Sequence, residues 1–356
     1  MELYLHSRQR LSTTLLETYH SFCWIERENE GSFELVVPYN KYKDVIFLDD
    51  TITHSESKRI MVVEELEIRR NATTDNLIVK GRSAEESFLS RRIVWEQTTV
   101  TGDVYSCVYK LLRENIISPT NLTRKLPGFN LDLEETRDPD LEQRYLSAQF
   151  TGDSLYEAVV ALTSIVGANF VIFWDDTTKM YRYKISVGSD RSILDDPKNK
   201  PIILSERLED GFDFSYLSTT KEYKNVGLVA GEGEGLDRKT AVVGSDAYEG
   251  WNRYELFVDA RDIQSQDADG NVIPPEEYKL FLIDRGDTKL AECSDTTVCE
   301  LSVSETQQLV YGEDYNLGDT VLVEAITGFI FAAKLVEFTF VVSESGIQRY
   351  PSFVRV

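Results

Sequence analysis

Basic residues are scarce in this sequence. The 38 Lys and Arg stand against 61 Asp and Glu, for a net charge of -23. Binding nucleic acid through its phosphates requires a basic face. No Lys/Arg cluster occurs, so no sequence-specific contact with DNA or RNA is expected. The acidity serves solubility first, and it would also repel DNA passing along a channel. Cysteine is sparse too: Cys23, Cys107, Cys293 and Cys299 include no C-x-x-C pair. That spacing fits neither a zinc site nor a disulfide framework. Free thiols in a protein made in a reducing cytoplasm fit best, although Cys293 and Cys299 could meet across a hairpin. Long apolar runs are missing. His6, Arg8 and Arg10 interrupt the N-terminal segment and Glu17 and His20 follow, which predicts no signal peptide. Nothing approaches the roughly 20 apolar residues of a membrane span.

The 356 residues are 42% apolar and 11% aromatic, enough to bury a substantial core in two or three domains. Residues 1–80 read as strands. Phe33, Leu35 and Val37 alternate with polar residues, the period-2 pattern of a half-buried strand. Val45–Leu48 is a short apolar run. Ile60–Ile68 and Asn76–Gly81 flank a hairpin tip at Asn71–Asp75.

The pattern changes after Ser83-Ala84-Glu85-Glu86, which reads as a capping box before a short helix. Val104, Cys107, Val108, Leu111 and Leu112 predict a second helix behind Asp103. Residues 118–150, with Pro119, Pro127 and Pro139, read as an irregular surface excursion. Leu155, Val159, Leu162 and Val166 form the stripe of the clearest helix, ended by Gly167. Phe170–Trp174 and Met180–Val187 read as a hairpin on which that helix packs. From about residue 200 onward the pattern is almost all strand. The expected architecture is α+β, mainly β. A first β-barrel-like domain spans 1–95, an α/β insert 96–200, and a second β-barrel-like domain 201–356, with a small subdomain near 260–300.

Candidate chemistry is thin. Gly231-Glu232-Gly233-Glu234-Gly235 resembles a phosphate loop, but a strand-like Ala241-Val242-Val243 follows where a helix N-terminus is required, and its glutamates repel phosphate. A flexible connection is the better reading. Asp267-Ala268-Asp269-Gly270-Asn271 starts like a calcium loop but lacks the later Gly and the bidentate Glu, where Tyr278 stands. His6, His20 and His54 have no metal-ligand spacing. A Ser-His-Asp arrangement stays open, but no G-x-S-x-G elbow occurs. No catalytic, cofactor-binding or metal-ligating residue is assigned.

Several stretches, in order, resemble a known family. Tyr19–Arg27 with Gly31–Pro38, Val79–Ser83 through Leu89–Ile93, and Trp251–Asp259 are three of them. The most specific is Tyr311-Gly312-Glu313-Asp314-Tyr315-Asn316-Leu317-Gly318-Asp319-Thr320-Val321. Together they resemble siphophage tail-tip baseplate hub proteins, the Tal-like N-terminal domain family, which is similar to the hubs of contractile-tailed phages. The resemblance covers nearly the whole chain. It implies a virion structural protein at the tail tip, made in the host cytoplasm, and a homotrimer. It implies the distal tail protein, the tape-measure protein and a tail fibre or receptor-binding protein as partners. Many relatives continue into a peptidase, hydrolase or fibre region. Here Val356 follows the final strand, so any lytic or receptor-binding role is expected on another chain or not at all. The rival classes are a cell-wall or capsule polysaccharide hydrolase, betrayed by a pocket of perturbed carboxylates, and a carbohydrate-binding module, betrayed by an exposed aromatic platform.

Overall fold

The computed structural model describes the chain except residues 9–11, 72–73, 130–136, 195–197, 206–212, 246, 267–270, 294–295, 303–308, 325–327, 329 and 344–345. Of 213–216, 236 and 296–302 only the backbone is described. The first strands are β1 Leu3–His6, β2 Thr13–Leu15, β3 Ser21–Arg27 and β4 Gly31–Pro38. The one-turn helix α1 Tyr39–Tyr42 separates them from β5 Thr51–His54, β6 Met61–Arg70 and β7 Asp75–Ser83. Then come α2 Ala84–Leu89, β8 Thr98–Gly102, α3 Val104–Leu112, α4 Pro139–Glu142, β9 Leu146–Phe150 and α5 Leu155–Ile165. Strands β10 Asn169–Asp175, β11 Met180–Ser186, β12 Ile203–Ser205 and β13 Asp213–Thr219 follow. The rest is β14 Val226–Ala230, β15 Thr240–Gly244, β16 Glu255–Asp259, α6 Pro275–Ala291, β17 Thr296–Ser302, β18 Thr320–Glu324, β19 Ile330–Ser343 and β20 Gly346–Arg355.

The chain divides into two compact units, each assembled from separate segments. The first comprises Met1–Phe88, Phe170–Leu217 and Thr297–Val356; the second comprises Leu89–Asn169 and Ser218–Thr296. These boundaries differ from the expected 1–95, 96–200 and 201–356. The reason is strand pairing. In the first unit β3 lies between β4 and β19, and Phe340 faces Trp24 across the β3–β19 ladder. A 13-stranded sheet results, in the order β13-β17-β20-β19-β3-β4-β7-β6-β5-β1-β2, with β18 also on β19 and β12 parallel to β18. The early and late strand regions therefore share one sheet and one core. Trp24, Phe22, Leu35, Phe338, Phe340 and Phe353 are all buried there. The described pairings form an open path, so no closed barrel is drawn by them.

The alternation in β4 buries Gly31, Phe33, Leu35 and Val37, as its sequence pattern requires. Val45–Leu48 forms no strand: Ile46 is buried, while Phe47 and Leu48 stand exposed on a turn. Asp50 accepts the Phe47 N–H there at 2.9 Å. In the capping-box segment Glu86 instead pairs with Arg82 at 2.8 Å, and Glu85 turns inward.

In the second unit, α3 starts where Asp103 accepts the Ser106 N–H at 3.0 Å, and α5 buries Leu155, Val159 and Leu162. The hairpin β10–β11 belongs to the first unit. The expected packing of α5 on that hairpin is replaced by packing on α3 and α6. The excursion at 118–150 contains a strand, β9, paired with β8. The hairpin tip expected at 71–75 and most of the Asp267–Asn271 loop include residues outside the described set.

Helix α6 interrupts the segment expected to be all strand. Pro275 occupies its first turn with Glu276 and Glu277, favourable for a helix N-terminus. Tyr278, Phe281 and Leu282 point inward onto the three-stranded sheet β15-β14-β16. Gly286 lets the helix lie close: a Cβ there would sit 2.5 Å from a Val229 methyl and 2.7 Å from a Val243 methyl. No described helix is long and apolar enough to cross a membrane.

Candidate functional site

Among the described residues, the histidines and acids do not converge as a catalytic set. His54 lies in the first unit against Trp24 and Phe340, with ring centroids at 4.6 and 4.9 Å. Its Nδ1 accepts the Glu56 N–H at 3.3 Å, and burial pushes its pKa down to about 4. It is a neutral core histidine. The neighbouring Ser57 hydroxyl donates to Glu26, not to the imidazole, so no nucleophile–base pair forms. His6 bridges the Thr13 and Thr53 hydroxyls at 3.0 and 2.9 Å, and His20 is exposed.

Glu26 centres a buried polar network. Trp24 Nε1 donates to it at 2.8 Å and the Tyr311 hydroxyl at 2.9 Å. Nearby, Arg59 lies 3.5 Å from Glu85 and donates to the carbonyls of Arg27, Glu28 and Glu30. Burial raises the pKa of Glu85 against the pull of Arg59. Every strong donor here is spent on the β3–β4 turn or on a neighbouring strand. The network ties β3, the β3–β4 turn and the Tyr311 segment together.

The segment Tyr311–Val321 packs against the same network. Tyr311 stacks on Phe338 with centroids 3.8 Å apart, and Tyr315 and Asp319 are buried. Asp319 accepts from Ser189 N, Arg191 Nε and Asn316 N at 2.7, 2.9 and 3.1 Å. Gly318 has φ +89°, and a Cβ on Gly188 would lie 2.0 Å from its carbonyl carbon. Leu317 is half-buried against the core. The most specific motif is thus a clamp fastening 188–191 to the sheet.

In the second unit, the Gly231–Gly235 loop leads through a short 3-10 turn into β15, with no helix N-terminus behind it. Arg238 closes it by donating to the carbonyls of Ala230 and Gly231 and to Asp259 at 2.8 Å. A cleft of about 500 Å³ lies between β9, α5 and α6, lined in part by Ala158, Ala161, Phe281, Asp284 and Lys289. Burial pushes Asp284 up to about 6 although it accepts the Ser147 N–H. Cys107 is a buried free thiol, its pKa raised to about 12 by burial, and Cys293 is also unbridged. Among the described residues no group of three His, Cys, Asp or Glu side chains is placed to hold a metal.

The outer face of β15-β14-β16 went unnoticed in the sequence. Val242, Leu228 and Phe257 lie side by side in one rung, since Leu228 pairs with both others. They are 56%, 44% and 59% exposed. Only the register of three strands reveals the rung.

Comparison with known proteins places the fold. The prophage MuSo2 43 kDa tail protein from Shewanella oneidensis superposes with a TM-score of 0.60 at 11% identity, covering 100% of this chain and 98% of its own. The prophage tail protein gp18 from Listeria monocytogenes EGD-e gives 0.56 at 14% identity, covering 99% and 94%. A chain of the Francisella PdpA-VgrG complex gives 0.52 at 9% identity, covering 99% of this chain and 52% of its own. These likenesses show the fold, that of phage tail proteins and baseplate hubs. No curated protein matches the sequence. The profile of the Siphovirus ReqiPepy6 Gp37-like proteins matches residues 2–353, and the chain belongs to that family of phage tail proteins.

Proposed function

We propose that this tail protein is the hub of the tail tip, a homotrimer that closes or lines the tail channel and joins the tail tube to host-recognition components. The observation that carries this reading is the full-length likeness: family profile and tail-protein folds both span essentially the entire chain. In this role the distal tail protein and the tape-measure protein are neighbours, with a fibre or receptor-binding protein beyond. The chain has no catalytic activity of its own. In support, Glu26 and Arg59 of the first unit are engaged by strand and turn contacts.

Electron microscopy of the particle tests the position, and light scattering of the purified chain tests the trimer. A stable monomer, or density for this chain away from the tip, overturns the hub reading. Zymography on peptidoglycan and capsular polysaccharide tests the absence of catalysis. Turnover lost on mutating one carboxylate overturns that part.

A further inference from the structure

The cleft between β9, α5 and α6 has an unbalanced lining. Every residue of that lining belongs to the second unit. Its walls are apolar, with Ala148, Phe150, Ala161, Ile165 and Phe281 among them. Its charged lining residues are Asp153, Glu157, Asp284, Arg285, Lys289 and Glu292. Both cations are already engaged. Lys289 lies 3.0 Å from Glu292, and Arg285 lies 3.1 Å from Asp262, which is not a lining residue. Asp153, Glu157 and Asp284 remain. Asp153 accepts the Thr151 N–H at 2.9 Å and Asp284 accepts the Ser147 N–H. Among the described residues no Lys or Arg forms an ion pair with any of the three. Asp284 is the telling one. It is half withdrawn from water, Asp287 repels its charge, and no cation offsets the cost.

We propose that this cleft seats a basic amphipathic segment of a partner protein, one Lys or Arg of which pairs with Asp284 while its apolar residues cover Ala161 and Ile165. Charge selects the sign of the occupant. Three carboxylates without cations ask for a cationic segment, which sets the occupant apart from a second copy of a chain at -23. Shape selects a segment over a small ion. The lining runs from Tyr156 to Ile165 along α5 and from Phe281 to Ala291 along α6. Each stretch is roughly 14–15 Å of helix. An apolar groove of that length between two helices fits several turns of a third, read through its anchor side chains. The cleft volume of about 500 Å³ leaves room for the anchors. Nothing in this argument needs the trimer.

The test uses the full chain and a fluorescent helical peptide of about four turns, built from alanine, leucine and lysine with the leucines and one lysine on a single face. Anisotropy titrations at high salt suppress the general attraction of cations to an acidic chain. Asp284→Asn keeps an acceptor for Ser147 and should weaken binding about tenfold or more. Ala161→Phe fills the groove and should do the same. The exposed control Glu249→Gln should change nothing, and a peptide with glutamate for lysine should not bind. Wild-type affinity should rise as pH passes about 6 and Asp284 becomes charged. Loss of that slope in Asp284→Asn assigns it to this carboxyl among its neighbours Arg285, Asp287, Lys289 and Glu292, Asp153 and Glu157 beside α5, and Cys107 of α3. Circular dichroism checks folding, and either variant suffices if the other fails to fold. Equal binding by wild type and variants, equal binding of the glutamate peptide, or no binding of the lysine peptide overturns the site. Agmatine bound as tightly as the peptide makes the occupant a small cation, and wild-type self-association lost in Asp284→Asn makes it a second copy. Either result overturns docking of a partner segment, while the hub reading stands or falls separately on oligomeric state and position in the particle.

Discussion

The two units handle polarity in opposite ways. The first buries it: Glu26, His54, Arg59 and Glu85 all lie inside, Glu26 accepting from Trp24, Ser57 and Tyr311, and Arg59 held by Glu85 and three backbone carbonyls. The second leaves apolar side chains outside, on the β15-β14-β16 face, and keeps Asp284 only partly shielded. Buried ionic groups add little net stability but penalise wrong arrangements severely. They suit a unit stitched from three distant segments, where register must be unique. Exposed apolar groups suit a surface that something else completes.

The contrast can be broken most forcefully at Arg59. Arg59→Met leaves Glu85 buried beside lost carbonyl contacts, and chemical denaturation should show a cost of about 3–5 kcal/mol. Fluorescence of Trp24, in the first unit's core, should report the loss. Leu162→Ala strikes the second unit instead. It opens a cavity among α3, α5 and α6 and should cost about 2–5 kcal/mol. A cost near zero would mean that α5 is not packed as described.

Acid sharpens the comparison, because the two units should respond with opposite sign. An unfolded chain protonates histidine near its ordinary value of 6.5, but folded His54 does so only at about 4. The unfolded state then binds more protons in that window, so stability is complete above pH 6.5 and falls as pH drops toward 4. The full effect is about 3 kcal/mol, and His54→Phe should flatten the profile measured by urea denaturation. Asp284 runs the other way. Folded, it keeps its proton up to about 6, against 3.8 for an ordinary aspartate. Stability therefore falls as pH rises from about 4 to 6. With solvent screening discounted, Asp284→Asn should gain about 1 kcal/mol at pH 7 and retain an acceptor for Ser147. Thermal melts of the variant across pH 4–7 would show a flatter slope; an unchanged slope would count against it.

Much of the fold was legible. β4, β6, β7, α3, α5 and the hairpin β10–β11 lie where alternation and helical spacing put them, because each has one buried face. Helix α6 was hidden by its own polarity. Only Tyr278, Phe281 and Leu282 mark its inner face strongly, and Gly286 reads as a breaker though it serves close approach. Pro275 with Glu276 and Glu277 was the available signal. The unit boundaries were not legible, since pairing of β3 with β19 depends on contacts across most of the chain. Nor was the exposed rung. Each of Val226–Ala230, Thr240–Gly244 and Glu255–Asp259 carries apolar residues on both faces, the signature of a strand buried on both sides. One face is in fact open. The Tyr311–Val321 motif could be recognised but not explained, because its partners Arg191 and Ser189 lie more than a hundred residues away.

The β3–β19 ladder has a consequence for the timing of synthesis. Arg27 meets Glu337 across it, 310 residues apart in sequence. At about 5–20 residues per second, the ribosome needs roughly 15–60 s to make the second strand after the first. Throughout that interval the β3 edge, with Phe22 and Trp24 on its apolar face, has no native neighbour on that side. An unpaired strand edge is a template for wrong pairing. The order of synthesis thus makes the N-terminal hairpin the segment most exposed to aggregation during production. A nascent chain stalled before residue 330 should bind chaperones through it, and one stalled after release of β20 should not.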